Sequence, residues 1–299
     1  MDKFDAIIIG QGFAGLTAAR LAAQRGLRTA NFEGEITGGL IININELDPL
    51  PAGAEHSGAE LASNIAMQNL DNGVESVSDA VTAISRDGAS WVVRTANGAY
   101  QARHVVIASG ARLRKLNVPG EEEFFGQGVS ICADCDGPLF TDQETVVVGG
   151  GDSAYQEAVA LAQYARKVTL LLRGDGPTAR AELVARAVDN PKISLLAGTR
   201  VLAVLGEAGK GVTGVRVATA GHGEHTLACT GVFVFVGLEP NGAFLPSEVQ
   251  RDASGAVAVS SQGATNLPGL WAIGAVRAGF GGLLTDAATD AERVIAALS

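Results

Sequence analysis

The 299-residue sequence holds only 3 cysteines and 4 histidines, and it is short of basic residues. Three cysteines cannot build the disulfide framework on which small secreted domains depend. The 22 Lys and Arg stand against 32 Asp and Glu, a formal net charge of -10. That balance excludes the basic footprint a nucleic-acid surface requires. No apolar run approaches the ~20 residues that span a bilayer, so no membrane segment is expected. Met1-Asp2-Lys3-Phe4 leads directly into a short apolar segment. No basic stretch precedes an apolar one there, so no signal peptide is expected and a reducing cytoplasm is the expected compartment. His56, His104, His222 and His225 show no nucleophile arrangement. Zinc needs four ligands, and one CxxC with the distant His222 and His225 is a poor set, so no metal site is expected.

What the chain does have is apolar bulk and glycine. Apolar residues make up 47% and charged residues 18%, with 39 glycines. A substantial core can be buried, and many tight turns or close backbone approaches are expected. The length fits one large or two medium domains.

Asp5 to Ile9 reads as a short buried parallel strand. Gly10-Gln11-Gly12-Phe13-Ala14-Gly15 follows, then helical composition from Leu16 to Arg25. Strand, GxGxxG and helix form a dinucleotide turn, in which backbone N–H groups approach a pyrophosphate at the helix N-terminus. A second strand, Arg28 to Phe32, ends at Glu33, an acid placed to accept from a ribose; Glu35 is the alternative. Gly38-Gly39-Leu40 and Leu47 to Pro51 are loop chemistry, a helix is expected over Gly58 to Asn72, and Asn97-Gly98 suggests a hairpin. Val105 to Ala111, containing Gly110, reads as a further buried strand ending in small residues.

The pattern recurs. Thr145 to Val148 is a strand, Gly149-Gly150-Gly151-Asp152-Ser153-Ala154 a GxGxxA turn, and a helix is expected from about Ser153 to Ala165. The next strand, Val168 to Leu172, ends at Arg173 where the first module has an acid. A cation there favours a 2′-phosphate, and hence NADP; Arg180 is a candidate second phosphate ligand. The spacing of Gly10 and Gly149 marks an internal duplication of fold. After the strand Val232 to Gly237, the segment Leu267 to Ala275 reads as loop, short strand and the close-packed Gly274, with a last helix from Leu284 to Leu298. This C-terminal piece is too small to stand alone and is expected to complete the first module. The expected fold is α/β with two Rossmann-like dinucleotide-binding domains, over 1–113 with 239–299 and over 114–238, the first discontinuous.

Between the two glycine turns lies Cys132-Ala133-Asp134-Cys135-Asp136-Gly137. A CxxC pair is redox-active or metal-binding in most settings. Placed between two dinucleotide sites, it suggests an electron relay. Gly137-Pro138 suits the start of a helix, whose N-terminus lowers a thiol pKa. Asp136 can serve as an N-cap. Cys229 lies in an apolar run and is read as a small buried hydrophobe.

With these motifs in place, the chain resembles the low-molecular-weight thioredoxin reductases over nearly its full length. The resemblance rests on Gly10 to Gly15, Thr37-Gly38-Gly39, Cys132 to Gly137, Gly149 to Ala154 and Pro268 to Gly274. It implies FAD on the first domain, with Gly39, Leu40, Asn45, Gly110, Gly274 and Ala275 joining the first turn and Glu33. It implies NADPH on the second, with NADH or no nicotinamide left open. It further implies a homodimer, and rotation of one domain against the other during turnover. By resemblance, Cys135 faces the flavin and forms the charge-transfer thiolate, Cys132 attacks the partner disulfide, and Asp136 carries the proton. The partner would be a thioredoxin-like protein or a small disulfide or dithiol. The chain also departs from the family. Ala275 stands where the family carries Asp, Gly281-Gly282-Leu283 where it carries Arg-Gln-Ala, Leu172-Arg173-Gly174 where it carries His-Arg-Arg, and Ile131 where it carries Tyr. Flavin contacts are thereby altered and NADPH contacts thinned. Beside the NADPH-fed reductase stand a dithiol oxidase passing electrons to oxygen, a reductase fed by another donor, and a non-catalytic redox sensor.

Overall fold

A computed structural model describes residues 1–44, 47 and 57–298. The chain divides into two compact units, Met1–Arg112 with Glu239–Ser299, and Leu113–Leu238. The first begins with β1 (Asp2–Ile9), α1 (Phe13–Gln24) and β2 (Thr29–Glu33). The apolar run Ala6–Ile9 is buried in both faces of the sheet, as a central parallel strand must be. Helix α1 is rich in Ala and Leu and ends where Gly26 takes a positive φ of 77°, a left-handed stop that favours glycine. A 3-10 turn (Gly39–Asn43) and α2 (Gly58–Asp71) follow. Ser57 caps α2 by accepting the Glu60 N–H at 3.3 Å.

Strands β3 (Glu75–Ser78), β4 (Val81–Asp87), β5 (Ser90–Thr95) and β6 (Ala99–Ile107) complete the first segment. The order is β3-β2-β1-β6-β5-β4, parallel from β3 through β6 and antiparallel beyond. A hairpin strand over Ala99 to Ala102 and a separate strand over Val105 to Ala111 were expected; one strand, Ala99–Ile107, runs through both. The reason is that β1 pairs along its whole length, from Asp2 against Tyr100 to Ile9 against Ile107. The chain leaves this unit by β7 (Ala111–Leu113).

The second unit holds β8 (Val129–Ser130), α3 (Ala133–Asp136), a 3-10 turn (Gly137–Phe140), β9 (Glu144–Val148), α4 (Asp152–Leu161) and β10 (Lys167–Leu171). It continues with α5 (Ala181–Val188), β11 (Ile193–Leu196), β12 (Thr199–Glu207), β13 (Gly211–Thr219), β14 (Gly223–Ala228) and β15 (Gly231–Val234). Its parallel sheet runs β11-β10-β9-β15-β8, with β12-β13-β14 as a separate antiparallel sheet. The antiparallel sheet was not anticipated from sequence. The chain returns by β16 (Leu238–Pro240), which pairs with β7.

The first unit closes with β17 (Leu270–Ala272), a 3-10 turn (Gly274–Val276) and α6 (Leu284–Ala297). Strand β17 pairs parallel with Val105–Ile107, beside the portion of β6 that β5 leaves free. The C-terminal segment thus completes the first sheet. Both parallel sheets share one plan, β3-β2-β1-β6-β17 against β11-β10-β9-β15-β8, with the last strand drawn from opposite ends of the segment. Helix α6 buries Ala287, Asp290, Ala291, Val294 and Ile295, the i, i+3, i+4 spacing of one helical face. Ala291, Val294 and Ile295 join Ala18, Ala19 and Ala22 of α1 in a core against Ile8 and Val106. In the second unit, Ala154, Ala158 and Leu161 of α4 pack with Val147, Leu170 and Phe233. Among the described residues no helix is long and apolar enough to cross a membrane.

Candidate active site: two glycine-rich turns and a cysteine pair

The first turn is possible only with glycine. Gly10 has φ 109°, and a Cβ there would run into the Ala108 carbonyl. A Cβ on Gly15 would collide with the Gly10 oxygen, so α1 sits close on the β1 turn. Gly12 is the helix N-cap and offers no side-chain cap. Its Cβ position is open except for the Gly38 oxygen at 3.9 Å. The free first-turn N–H groups and the open approach fit a pyrophosphate. Phe13 is buried and Ala14 half-buried. A Cβ on Gly274, at φ 67°, would lie 2.9 Å from that of Ala14, so the C-terminal segment meets the turn. Gly39 has φ 57°, and a Cβ there would lie 3.4 Å from the Gly12 Cα.

Glu33 is fixed in this turn. Its Oε2 accepts the Gln11 N–H at 2.8 Å, and its Oε1 accepts the N–H groups of Gly34 and Glu35 at 2.9 and 3.0 Å. Glu35 contributes its backbone to this set. A carboxylate has about four acceptor positions, so Glu33 retains capacity for a ribose hydroxyl. Leu40 is exposed on the 3-10 turn, and Ala275 is half-buried after Gly274. Gly110 takes φ 66° with open space at its Cβ position and accepts the Asn241 N–H at 3.0 Å. Asn45 lies outside the described residues.

The second turn repeats the plan. Gly149 has φ 151°, and a Cβ there would strike the Phe235 carbonyl and lie 2.9 Å from the Ala154 Cβ. Gly151 caps α4 without a side-chain partner. Asp152 and Ser153 open the helix, and Ala154 is fully buried beneath the turn. Arg173 is exposed just past β10. Arg180 is engaged elsewhere: its N–H and Nε meet the two Asp152 oxygens at 2.8 and 2.7 Å, and its Nη1 lies 3.1 Å from Glu182. The Arg180 N–H, seconded by the guanidinium, holds the Asp152 carboxyl below the usual carboxylate range. The loop leading to Arg180 folds over the turn, where the Gly150 oxygen accepts from Thr178 N–H, Thr178 O–H and Ala179 N–H at 2.8 to 3.0 Å.

Cys132 and Cys135 form a disulfide with Cα atoms 5.4 Å apart. Cys132 caps α3, and its Sγ accepts the Cys135 N–H at 3.1 Å. Cys132 is half-buried and Cys135 exposed. Ser130, buried at the end of β8, donates to Asp136 Oδ2 at 2.6 Å, and its oxygen accepts the Cys132 N–H at 3.1 Å. Asp136 is thus held by a side chain beside the pair, and it is not the N-cap of the following turn in the side-chain sense. The pair and the second glycine turn belong to one unit. Cys229 is buried on the opposite side of this unit's sheet plan, in the cluster of Val146, Val215 and Val232.

Several residues that hold the site were not singled out from sequence. Gln11 is buried and donates to the Asn31 carbonyl and the Ser76 hydroxyl, both at 2.9 Å, while accepting from Thr37 at 2.7 Å. Asn31 donates to the Ile8 and Gly10 carbonyls. Asp290, 3% exposed, accepts the Gly274 N–H at 3.1 Å and takes Arg277 in two bonds of 2.6 and 2.9 Å. Glu157 of α4 accepts the Ala133 N–H at 2.6 Å. Gln11 sits inside the glycine turn and Asn31 and Glu157 inside strand and helix runs, as ordinary surface residues also do, while Asp290 is a charge on the buried stripe of α6.

Residues 4–296 match the family described as Pyridine nucleotide-disulphide oxidoreductase. The thioredoxin reductase of Treponema pallidum is 38% identical over 277 residues, covering 92% of this chain and 89% of its own. That of Mycolicibacterium smegmatis is 40% identical over 273 residues, covering 90% and 87%. The crystal structure of Lactococcus lactis thioredoxin reductase superposes with a TM-score of 0.92 at 33% identity, covering 99% of this chain and 97% of its own. The glycine turns, the cysteine pair and these similarities agree, and the chain belongs to the pyridine nucleotide–disulphide oxidoreductase family as an FAD-dependent disulfide oxidoreductase of the thioredoxin-reductase type.

Proposed function

We propose that the Gly10–Gly15 turn holds FAD, that the Gly149–Ala154 turn holds NADPH, and that electrons pass through Cys132–Cys135 to a thioredoxin-like protein. The observation that carries this reading is the construction around the pair: a disulfide at the start of α3, with Asp136 held beside it by Ser130. FAD, when bound, supplies a two-electron relay between nicotinamide and disulfide.

The chain's own residues divide the remaining work. The uncapped start of α1 binds the FAD pyrophosphate and Glu33 its ribose; the start of α4 binds that of NADPH. Arg173 takes the 2′-phosphate. Cys135 is the sulfur that receives electrons, and Cys132 is the one that attacks the partner disulfide as a thiolate. Asp136 holds and returns the proton, with the Ser130 hydroxyl orienting its carboxyl group. Leu139, 72% exposed, and Ile131, 37% exposed, flank the pair and suit the apolar rim of a protein partner's active site. A homodimer in a reducing cytoplasm completes the reading, the former checked by sedimentation. The test is NADPH-dependent reduction of a thioredoxin by the flavin-loaded protein, lost in Cys132→Ser and Cys135→Ser.

One observation supports a second reading. Arg180 is bound to Asp152 and Glu182, and Gly174 replaces a second cation, so the 2′-phosphate site is thin. A dithiol oxidase using oxygen, or a reductase fed by another donor, would tolerate that loss. Thiol-dependent oxygen uptake without nucleotide distinguishes the oxidase.

A further inference from the structure

The redox turn and the nucleotide helix of the second unit are joined by one side chain that neither role requires. Glu157 lies on the second turn of α4, the helix that opens at the Gly149–Gly151 turn. Its Oε2 accepts the N–H of Ala133, the first residue of α3 and the one bonded to Cys132. The Cys132 sulfur takes the Cys135 N–H, and the Ala133 N–H goes to the Glu157 carboxylate.

We propose that Glu157 is a positioning residue for the dithiol, which fixes the first peptide of α3 and takes up a proton when the disulfide opens. The inference rests on Cys132–Cys135 being the redox pair. Its physical basis is charge. Reduction breaks the S–S bond with two electrons from the reductant; one sulfur takes a solvent proton and the other is left as thiolate. The thiolate is that of Cys132, the residue bonded to Ala133 whose N–H the Glu157 carboxylate holds, so the two negative charges disfavour each other and a second solvent proton goes to Glu157. Burial already pushes this carboxyl up to about 7, against the lowering effect of the Ala133 N–H and with a further push from Asp134. Its protonation therefore changes within the working pH range.

The charged and titratable groups on the elements packed against α4 do not cancel this. Helix α3 brings Asp134 and Asp136, both acidic. Helix α5 brings Glu182 and Arg186, and Glu182 is engaged by Arg180. Strand β9 brings Glu144, paired to Arg166, and β10 brings Lys167. On α4 itself Asp152 is paired to Arg180, and Tyr155 is buried. Asp134 is the charge that acts on Glu157, and it acts in the direction of proton uptake.

The experiment measures the midpoint potential of the dithiol in the flavin-loaded protein against pH. Oxidised and reduced dithiothreitol set the potential, acid quenching and maleimide labelling count free thiols, and flavin absorbance is followed separately. Each coupled proton changes the two-electron equilibrium tenfold per pH unit, about 30 mV. Glu157→Gln keeps an acceptor for the Ala133 N–H and removes the proton. The expected result is coincidence of wild type and Glu157→Gln below about pH 6, with the wild-type dithiol at least threefold harder to reduce at about pH 8. Asp134→Asn should move the wild-type divergence to lower pH. Parallel, coincident lines for wild type and Glu157→Gln overturn the proposal. If Glu157→Gln loses its flavin, the wild type alone decides: infrared difference spectra on reduction at neutral pH gain a protonated-carboxyl band, and their failure to do so is equally contrary. If no thiols appear at Cys132 and Cys135 under any potential, it is the redox-pair reading that fails.

Discussion

The Ser130 hydroxyl donates to the Asp136 carboxylate at 2.6 Å, tying the last residue of β8 to the last of α3 across the cysteine turn. This bond fixes where the proposed proton carrier stands relative to the pair. A hydrogen bond to a charged group contributes about 1.5–3 kcal/mol. Ser130→Ala is expected to lower disulfide turnover about tenfold by freeing the carboxylate. Asp136→Asn removes the proton and is expected to lower it about 100-fold or more. Steady-state turnover with a protein disulfide, alongside flavin content, checks both.

The cysteines should separate cleanly. Cys132→Ser and Cys135→Ser each abolish disulfide turnover while flavin binding persists, since a disulfide relay needs both sulfurs. Cys229 is 4% exposed, and burial, with a smaller push from Glu144, raises its thiol to about 12. It stays protonated at neutral pH and should resist alkylation in the native protein. Its folded pKa is raised, so its stability contribution is full below the ordinary thiol value of about 8.5 and declines as pH rises toward 12. Mass spectrometry after alkylation should find two labels in the reduced native protein and three after denaturation.

The flavin turn makes a steric prediction. Gly15→Ala drives a methyl group into the Gly10 carbonyl and should yield protein that does not retain FAD. The wild type should be yellow and release FAD, not FMN. Asp290→Ala breaks a buried pair with Arg277 and orphans the Gly274 N–H. Breaking such a pair costs about 3–5 kcal/mol, read by urea denaturation, with loss of flavin as its second sign.

Much of this was legible in sequence for a physical reason. Glycines at Gly10 and Gly149 are dictated by positive φ and by backbone oxygens one Cβ away, and Gly274 by positive φ and the nearby Ala14 Cβ; that demand is written directly as residue type. The return of the C-terminal segment followed from its being too short to bury a core alone. What escaped was of two kinds. The antiparallel sheet β12-β13-β14 was hidden because its alternation is interrupted at Gly206, Gly211 and Gly214 and its register shifts between Val201 and Ala203 and between Leu205 and Gly206. The supporting polar residues Gln11, Asn31, Ser130, Glu157 and Asp290 were hidden because their partners are distant in sequence. Asp290 on the buried stripe of α6 was the one with a readable signal, a charge at a core position.

Nucleotide preference should depend on Arg173 more than on Arg180. One charge-assisted bond to a 2′-phosphate is worth about 1.5–3 kcal/mol, a preference for NADPH of roughly 10- to 150-fold. Arg173→Ala should remove most of it. Arg180→Ala should change it less, because Asp152 and Glu182 already hold that guanidinium. Its effect should appear in acid instead. The Asp152 pKa is lowered, so the pair's contribution is present above the ordinary carboxylate value of about 3.9 and lost as pH falls through the lowered one. Ratios of kcat/KM for the two nucleotides, with thermal unfolding between about pH 3 and 7, give both readings.

The most direct test is anaerobic mixing of the flavin-loaded protein with NADPH, followed by acid quenching and thiol labelling. The account predicts that the flavin bleaches, that Cys132 and Cys135 appear as free thiols in proportion to NADPH consumed, and that NADH does the same more slowly. If neither nucleotide opens the Cys132–Cys135 disulfide, while a small dithiol both opens it and bleaches the flavin, the account is contradicted.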